Sequence, residues 1–93
     1  MTPRPIATFY VGTNPMRLFA DGTIEYKGEA GNVAGAQAEV VARNHRSAFL
    51  VVQGPAVSLS GKVDSNATWL LKMAREFATA VNGLSASLPA GSP

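Results

Sequence analysis

The sequence predicts an α+β fold: a small antiparallel sheet or partly open β-barrel of five to six strands, packed by one C-terminal amphipathic helix. Three observations predict this class. Short apolar or alternating runs recur between turn residues throughout residues 6–63, which is typical of strands. A sustained helical period occurs only in residues 64–83. Because an amphipathic helix cannot bury its own apolar stripe, we expect it to cover the sheet.

The predicted helix runs over residues 64–83 and has a signal at each end. Asp64, Ser65 or Asn66 can accept a hydrogen bond from a free amide of the first turn. Gly83 can adopt the left-handed conformation that ends a helix. Apolar residues recur at i, i+3, i+4 and i+7, which predicts one buried stripe. That stripe consists of Leu70, Met73, Ala74, Phe77, Val81 and Leu84.

The first part of the chain is expected to form a strand and a hairpin. Residues 6–11 are rich in β-branched and aromatic side chains, which predicts the first strand. In residues 17–27, the Asp21-Gly22 pair fits a two-residue type I′ turn, in which both central residues need positive φ. In that register Phe19 lies opposite Ile24.

Three further strands are expected after a Gly-rich connection at residues 28–32. Residues 33–43 alternate apolar and polar side chains, but their alanines also suit a helix. A glycine and a pair of valines favour the strand. Residues 47–53 are almost continuously apolar, which predicts a central strand. Residues 56–63 alternate, which predicts a strand with one face in water.

Length and composition bound the domain organisation. A chain of 93 residues is expected to make one domain, here residues 1–84, with a disordered tail at residues 85–93. The chain has no cysteine, so disulfides and thiolate metal sites are excluded. It has no secretory signal and no apolar run long enough to span a membrane. A cytoplasmic protein is therefore expected.

The charge pattern bears on the class of partner. The formal net charge is +2, and the eight basic residues are scattered along the chain. Proteins that bind nucleic acid usually cluster their basic residues on one face or stripe. The sequence therefore predicts no nucleic-acid partner.

The residues that carry chemistry do not form a catalytic pattern. His45 is the only histidine, and no carboxylate or serine lies at a spacing that would orient it. The available residues also lack the spacing of a metal site. We therefore expect no enzyme activity, no metal and no cofactor.

Several segments resemble one family. They are the Gly54-Pro55 turn, the strand end Gly61-Lys62-Val63-Asp64, the helical motif in residues 74–82, the hairpin in residues 17–26 and the strand in residues 33–40. Together they resemble small actinobacterial pleckstrin-homology-like (PH-like) domains. The resemblance implies a partly open β-barrel with one end plugged by the C-terminal helix. It also implies a binding module for phosphoinositides, proteins or peptides, without catalysis.

The chain departs from this family at one loop. Family members that bind phosphoinositides carry a basic cluster between the first two strands. The matching loop, residues 12–15, has no basic residue, and only Arg17 follows it. This difference argues against binding of inositol lipids.

Two surfaces are candidates for contact with a partner. The first is the polar loop that carries Arg43, His45 and Arg46, which otherwise forms an ordinary charged tip. The second is the helix surface near Trp69 and Arg75. Trp is enriched in interface hot spots, although it also packs commonly over the rim of a sheet. Apolar residues on the flank of the helix leave a homodimer as a further alternative.

These observations favour a non-enzymatic binding module that acts through a protein partner. Small chains without a catalytic set are typical of phage or accessory-genome products that bind and modulate a host protein. The alternative is peripheral binding to anionic lipid headgroups, or binding of a small ligand.

Overall fold

Seven antiparallel strands form two sheets, neither of them closed into a barrel, against one C-terminal helix in the described part of the chain. A computed structural model describes residues 3–44 and 46–88. The predicted α+β class is confirmed, although the strands number seven instead of five to six. The elements are β1 Ala7–Val11, β2 Asn14–Leu18, β3 Thr23–Tyr26, β4 Glu29–Asn32, β5 Gln37–Ala42, β6 Ser47–Gly54, β7 Val57–Asp64 and α1 Thr68–Ser87.

The first sheet is a meander in the order β1-β2-β3-β4. The interpretation of residues 28–32 as a connection is wrong, because Glu29–Asn32 forms β4. Its residues have low strand propensity, which is why local pattern did not predict this strand. Lys27 and Gly28 have φ angles of 52° and 78°, which fits the two-residue turn that pairs β3 with β4. Asn32 also bridges to Ala56, which ties β4 to the second sheet.

The predicted register between β2 and β3 is wrong by one residue. Leu18, and not Phe19, lies opposite Ile24. The loop holds three residues, because the Phe19 amide donates to the Thr23 carbonyl at 2.8 Å and Gly22 has a φ of 92°. A turn followed by a left-handed glycine is the common three-residue hairpin loop. The shift sends Leu18 into the core and leaves Phe19 partly exposed.

Asp21 makes this loop sensitive to acid. The Thr23 backbone amide donates to Asp21 Oδ1 at 2.9 Å, and this hydrogen bond lowers the pKa of the carboxyl. A lowered folded pKa stabilises the fold above the unfolded pKa of about 3.9, and the stabilisation is lost as pH falls through the folded value. Unfolding titrations of the wild type should therefore lose more stability below about pH 4 than those of Asp21→Asn. An NMR titration placing the Asp21 midpoint at or above its ordinary value would contradict this prediction.

The second sheet has the order β5-β6-β7 and agrees closely with the pattern of the sequence. The strand interpretation of residues 33–43 is confirmed for Gln37–Ala42, which is not helical, whereas residues 33–36 form a turn in which the Ala36 amide donates to the Val33 carbonyl. Strand β6 is central, as its continuous apolar character predicted. In β7, side chains alternate between buried and exposed. This strand therefore has one face in the core and one in water.

Helix α1 begins and ends four residues later than predicted. Asp64 cannot start it, because Asp64 is the last residue of β7 and pairs with Ser47. The N-cap is Ala67, with no side-chain hydrogen bond to the first turn. Gly83 lies within the helix, which continues to Ser87.

The chain after residue 84 is part of the packed structure as far as residue 88. The Ser85 hydroxyl donates to the Ala36 carbonyl at 2.8 Å, and Leu88 packs against the core. The prediction of a disordered tail is therefore wrong for residues 85–88, and residues 89–93 lie outside the described residues.

The buried face of α1 differs from the predicted stripe at one important position. Phe77 is 4% exposed and packs on Phe9 of β1, with ring centroids 6.2 Å apart. Ala78 is buried as well, although it is not a member of the predicted stripe. Met73 was expected in the core but is 43% exposed, so that prediction is wrong. The helix is turned so that small alanines approach the sheets, which moves Met73 to the surface.

The edge of β5 is covered by α1 at one residue. Asn82 Oδ1 accepts the Ala38 amide at 2.8 Å, and Asn82 Nδ2 donates to the Ala38 carbonyl at 2.9 Å. A strand at the edge of a sheet otherwise presents unpaired backbone groups. Asn82 therefore acts as a substitute for a neighbouring strand at this point.

Within residues 3–44 and 46–88, no helix combines the length and the apolar character needed to cross a membrane.

Candidate partner-binding groove

An open groove of about 800 Å³ lies where the N-terminal part of α1 meets the ends of β1 and β7. Its walls come from three parts of the chain that are distant in sequence. We call it the aromatic groove. It is lined by Phe9, Tyr10, Val11, Gly12, Arg46, Lys62, Val63, Asp64, Trp69, Leu70 and Met73.

The groove concentrates the exposed large apolar side chains of the described chain. Trp69 is 64% exposed, Tyr10 is 57% exposed and Met73 is 43% exposed. Trp69 and Met73 are four residues apart on α1, so they are neighbours on its surface. Tyr10 points away from the core because it follows the buried Phe9 along β1. Single exposed apolar residues are ordinary, but a contiguous group marks an interaction surface.

Gly61 helps to form the groove by letting β1 approach β7. A Cβ atom at this position would lie 2.6 Å from Val11 Cγ2. Any side chain here would therefore push Val11 away. Tyr10, the neighbour of Val11 in β1, lines the same groove as Lys62 and Asp64 of β7.

Two cations lie at the β7 side of the aromatic groove. Arg46 and Lys62 both line it, and both also line a smaller neighbouring cavity with Asn44 and Ser47. The acidic residue of the groove is Asp64, whose Oδ1 already accepts the Asn66 amide at 3.0 Å. The charged residues of the groove therefore have an excess of one positive charge.

The structure brings together two of the five predicted contact residues. Trp69 and Arg46 line the same groove. Trp69 is not packed away over the rim of the sheet, since most of its surface is exposed. Arg43 instead stacks on Phe49, with its guanidinium carbon 5.5 Å from the ring centroid. Arg75 is exposed on α1 and does not line the groove, and His45 lies outside the described residues.

Sequence reasoning missed Tyr10, Lys62 and Met73 as members of the groove. The alternation of Phe9 and Tyr10 indicates that one of them faces outward. It does not indicate that α1 lies beside the outward one. Met73 was assigned to the core, because helical periodicity defines a stripe only to within about one position at its edges.

A second open groove, of about 400 Å³, lies on the front hairpins and has balanced charge. Its charged residues are two cations and two carboxylates, and Arg17 lies opposite Glu25 in the β2–β3 register. A site for a polyanion needs an excess of positive charge. The front hairpins therefore offer no excess of positive charge. This agrees with the lack of a basic cluster in the loop between the first two strands.

No group of three or more His, Asp and Glu side chains that could hold a metal ion exists among the residues that the structure describes. Over the same residues, every buried side-chain nitrogen or oxygen atom has a hydrogen-bond partner.

Comparisons with models of protein families, with curated proteins and with solved structures each found no match.

Proposed function

We propose that this chain is a non-enzymatic binding module that acts through a protein partner docked in the aromatic groove. The observation that carries the proposal is the group of Trp69, Tyr10 and Met73, exposed side by side in one concave surface. Each of these side chains is exposed to water in the free protein. Covering them with a partner removes apolar area from water, at roughly 25 cal/mol per Å².

We further propose that the module is PH-like. Support comes from the order of the elements: four antiparallel strands, then three, then one C-terminal helix packed on both sheets. This arrangement is consistent with the open barrel plugged by a helix that the sequence resemblance implies.

A protein partner is favoured over a lipid surface by the shape of the groove. Tyr10 on β1 and Trp69 with Met73 on α1 line the same groove, so the apolar side chains border a concave surface. Side chains that enter a membrane interface must project outward, whereas a groove accepts an inserted segment. The balanced charge of the front hairpins also gives no basic face for anionic lipid there.

The proposal predicts that Trp69→Ala abolishes partner capture and leaves the fold intact. Loss of a hot-spot Trp weakens binding by about 2 kcal/mol or more, which is roughly thirtyfold. The tagged chain would be used to capture proteins from a lysate of its source cell, with detection by mass spectrometry. Ile6→Ala is the matched control, because Ile6 is 55% exposed and does not line the groove.

We expect one protein to be enriched by the wild type and by Ile6→Ala, and to be lost with Trp69→Ala. If the wild type, Ile6→Ala and Trp69→Ala all captured that protein equally, the aromatic groove would not be part of the interface. Circular dichroism of each variant establishes that any loss is not due to unfolding.

A further inference from the structure

We infer that the segment bound in the aromatic groove presents an aromatic or large aliphatic side chain next to carboxylates. This inference rests on the proposed function and specifies the chemistry of the partner. It combines two features of one surface: an apolar cleft and an excess of positive charge at its side.

The apolar part of the groove matches an inserted side chain. The volume of the whole aromatic groove, about 800 Å³, lies within the range of about 300–1,000 Å³ that is common for ligand sites. Trp69 and Tyr10 provide rings for stacking, and their indole N–H and hydroxyl provide polar contacts at the rim. Met73 adds a flexible thioether that adapts to the shape of the bound group.

The charged residues of the groove favour particular residues next to the inserted side chain in the bound segment. Arg46, Lys62 and Asp64 line the groove and leave it an excess of one positive charge, and the Asp64 carboxylate also accepts the Asn66 amide. An acidic residue beside the inserted side chain complements these two cations. A basic residue in the same place would be repelled by them.

A second copy of this chain fits the groove less well than an acidic segment. In a symmetric dimer centred on the groove, the same surface faces itself. Each copy would bring its excess of one positive charge to the same interface, where an acidic segment would instead bring negative charge.

The inference is tested first by selection from a random-peptide library on the immobilised wild-type chain. Peptides that also bind Trp69→Ala are removed. We expect the remaining peptides to carry an aromatic or large aliphatic residue beside Asp or Glu. A consensus peptide with Phe as its aromatic residue is then titrated in solution. Trp69 is the only tryptophan of the chain, so its emission reports binding in the groove.

The second test reverses the charges. We expect Arg46→Glu/Lys62→Glu to weaken binding of the consensus peptide by about tenfold or more at low salt. The matched control is Arg4→Glu/Arg75→Glu, which changes the net charge equally at exposed residues outside the groove. The control should reduce affinity by less than about threefold, since neither of its residues lines the groove and salt screens charges that do not contact the bound segment.

The outcomes separate this inference from the proposed function. Peptides that depend on Trp69 but show no acidic residues, or equal weakening by both charge reversals, would overturn the inference and leave the proposed function standing. If no peptide depends on Trp69, both are overturned. In that case, two measurements identify the occupant. A change in Trp69 emission with phosphatidylserine vesicles, but not with phosphatidylcholine vesicles, assigns the groove to a membrane. A dimer that Trp69→Ala dissociates assigns it to a second copy.

Discussion

Replacing Phe77 with alanine is expected to lower the free energy of unfolding by about 3–5 kcal/mol. Phe77 is the large side chain through which α1 packs on β1, and its ring contacts that of Phe9. The substitution removes this contact and leaves a cavity between the helix and the sheet. Small domains have only about 5–15 kcal/mol of total stability, so the variant should be close to unfolding.

Chemical denaturation of the wild type and Phe77→Ala measures this difference directly. Met73→Ala is the control, since Met73 lies on the same helix but is largely exposed. It should change stability by about 1 kcal/mol or less. A large loss of stability for Met73→Ala and a small one for Phe77→Ala would contradict this prediction. It would show that α1 turns the side of Met73, and not that of Phe77, toward the sheets.

Replacing Asn82 with alanine is expected to destabilise the fold by about 2–4 kcal/mol, because two partly buried backbone groups lose their partners together. The Asn82 amide group accepts from the Ala38 N–H and donates to the Ala38 carbonyl. The variant should also aggregate more readily, since it opens the edge of β5.

Denaturation and light scattering at matched concentration test the two consequences. Thr79→Ala is a matched control, because the Thr79 hydroxyl bonds only to Arg75 of the same helix. Alanine favours the helix at both positions, so the control measures that gain together with the loss of one hydrogen bond within the helix. If Asn82→Ala were as stable as Thr79→Ala, the contact with Ala38 would contribute little to the fold.

The local pattern of the sequence predicted the parts of the fold that depend on local properties. The alternation in residues 56–63 predicted β7, and the apolar run in residues 47–53 predicted the central β6. Both predictions succeeded because side chains alternate between the two faces of a strand wherever that strand lies. The turn at Asp21-Gly22 was also found in the right place, but with one residue more than expected.

Only some residues of the candidate site could be predicted from the sequence. Trp69 and Arg46 were singled out by residue type, and the structure places both in the aromatic groove. Their proximity could not be predicted, because it depends on where α1 crosses the ends of β1 and β7. Arg75 was also predicted to contact a partner, but it lies outside the groove.

The α+β class and the C-terminal helix could be predicted from the sequence, because alternation and helical periodicity are encoded residue by residue. The ends of the helix, the register that joins β2 to β3 and the shared groove of Tyr10 and Trp69 depend on tertiary packing. These features result from competition between distant segments. Pairing of Asp64 in β7 prevents it from capping α1, and contacts with Ala36 and Ala38 extend the helix past Gly83. The free energies that decide such competitions come from packing and hydrogen bonds across the fold, which no single stretch of the chain contains.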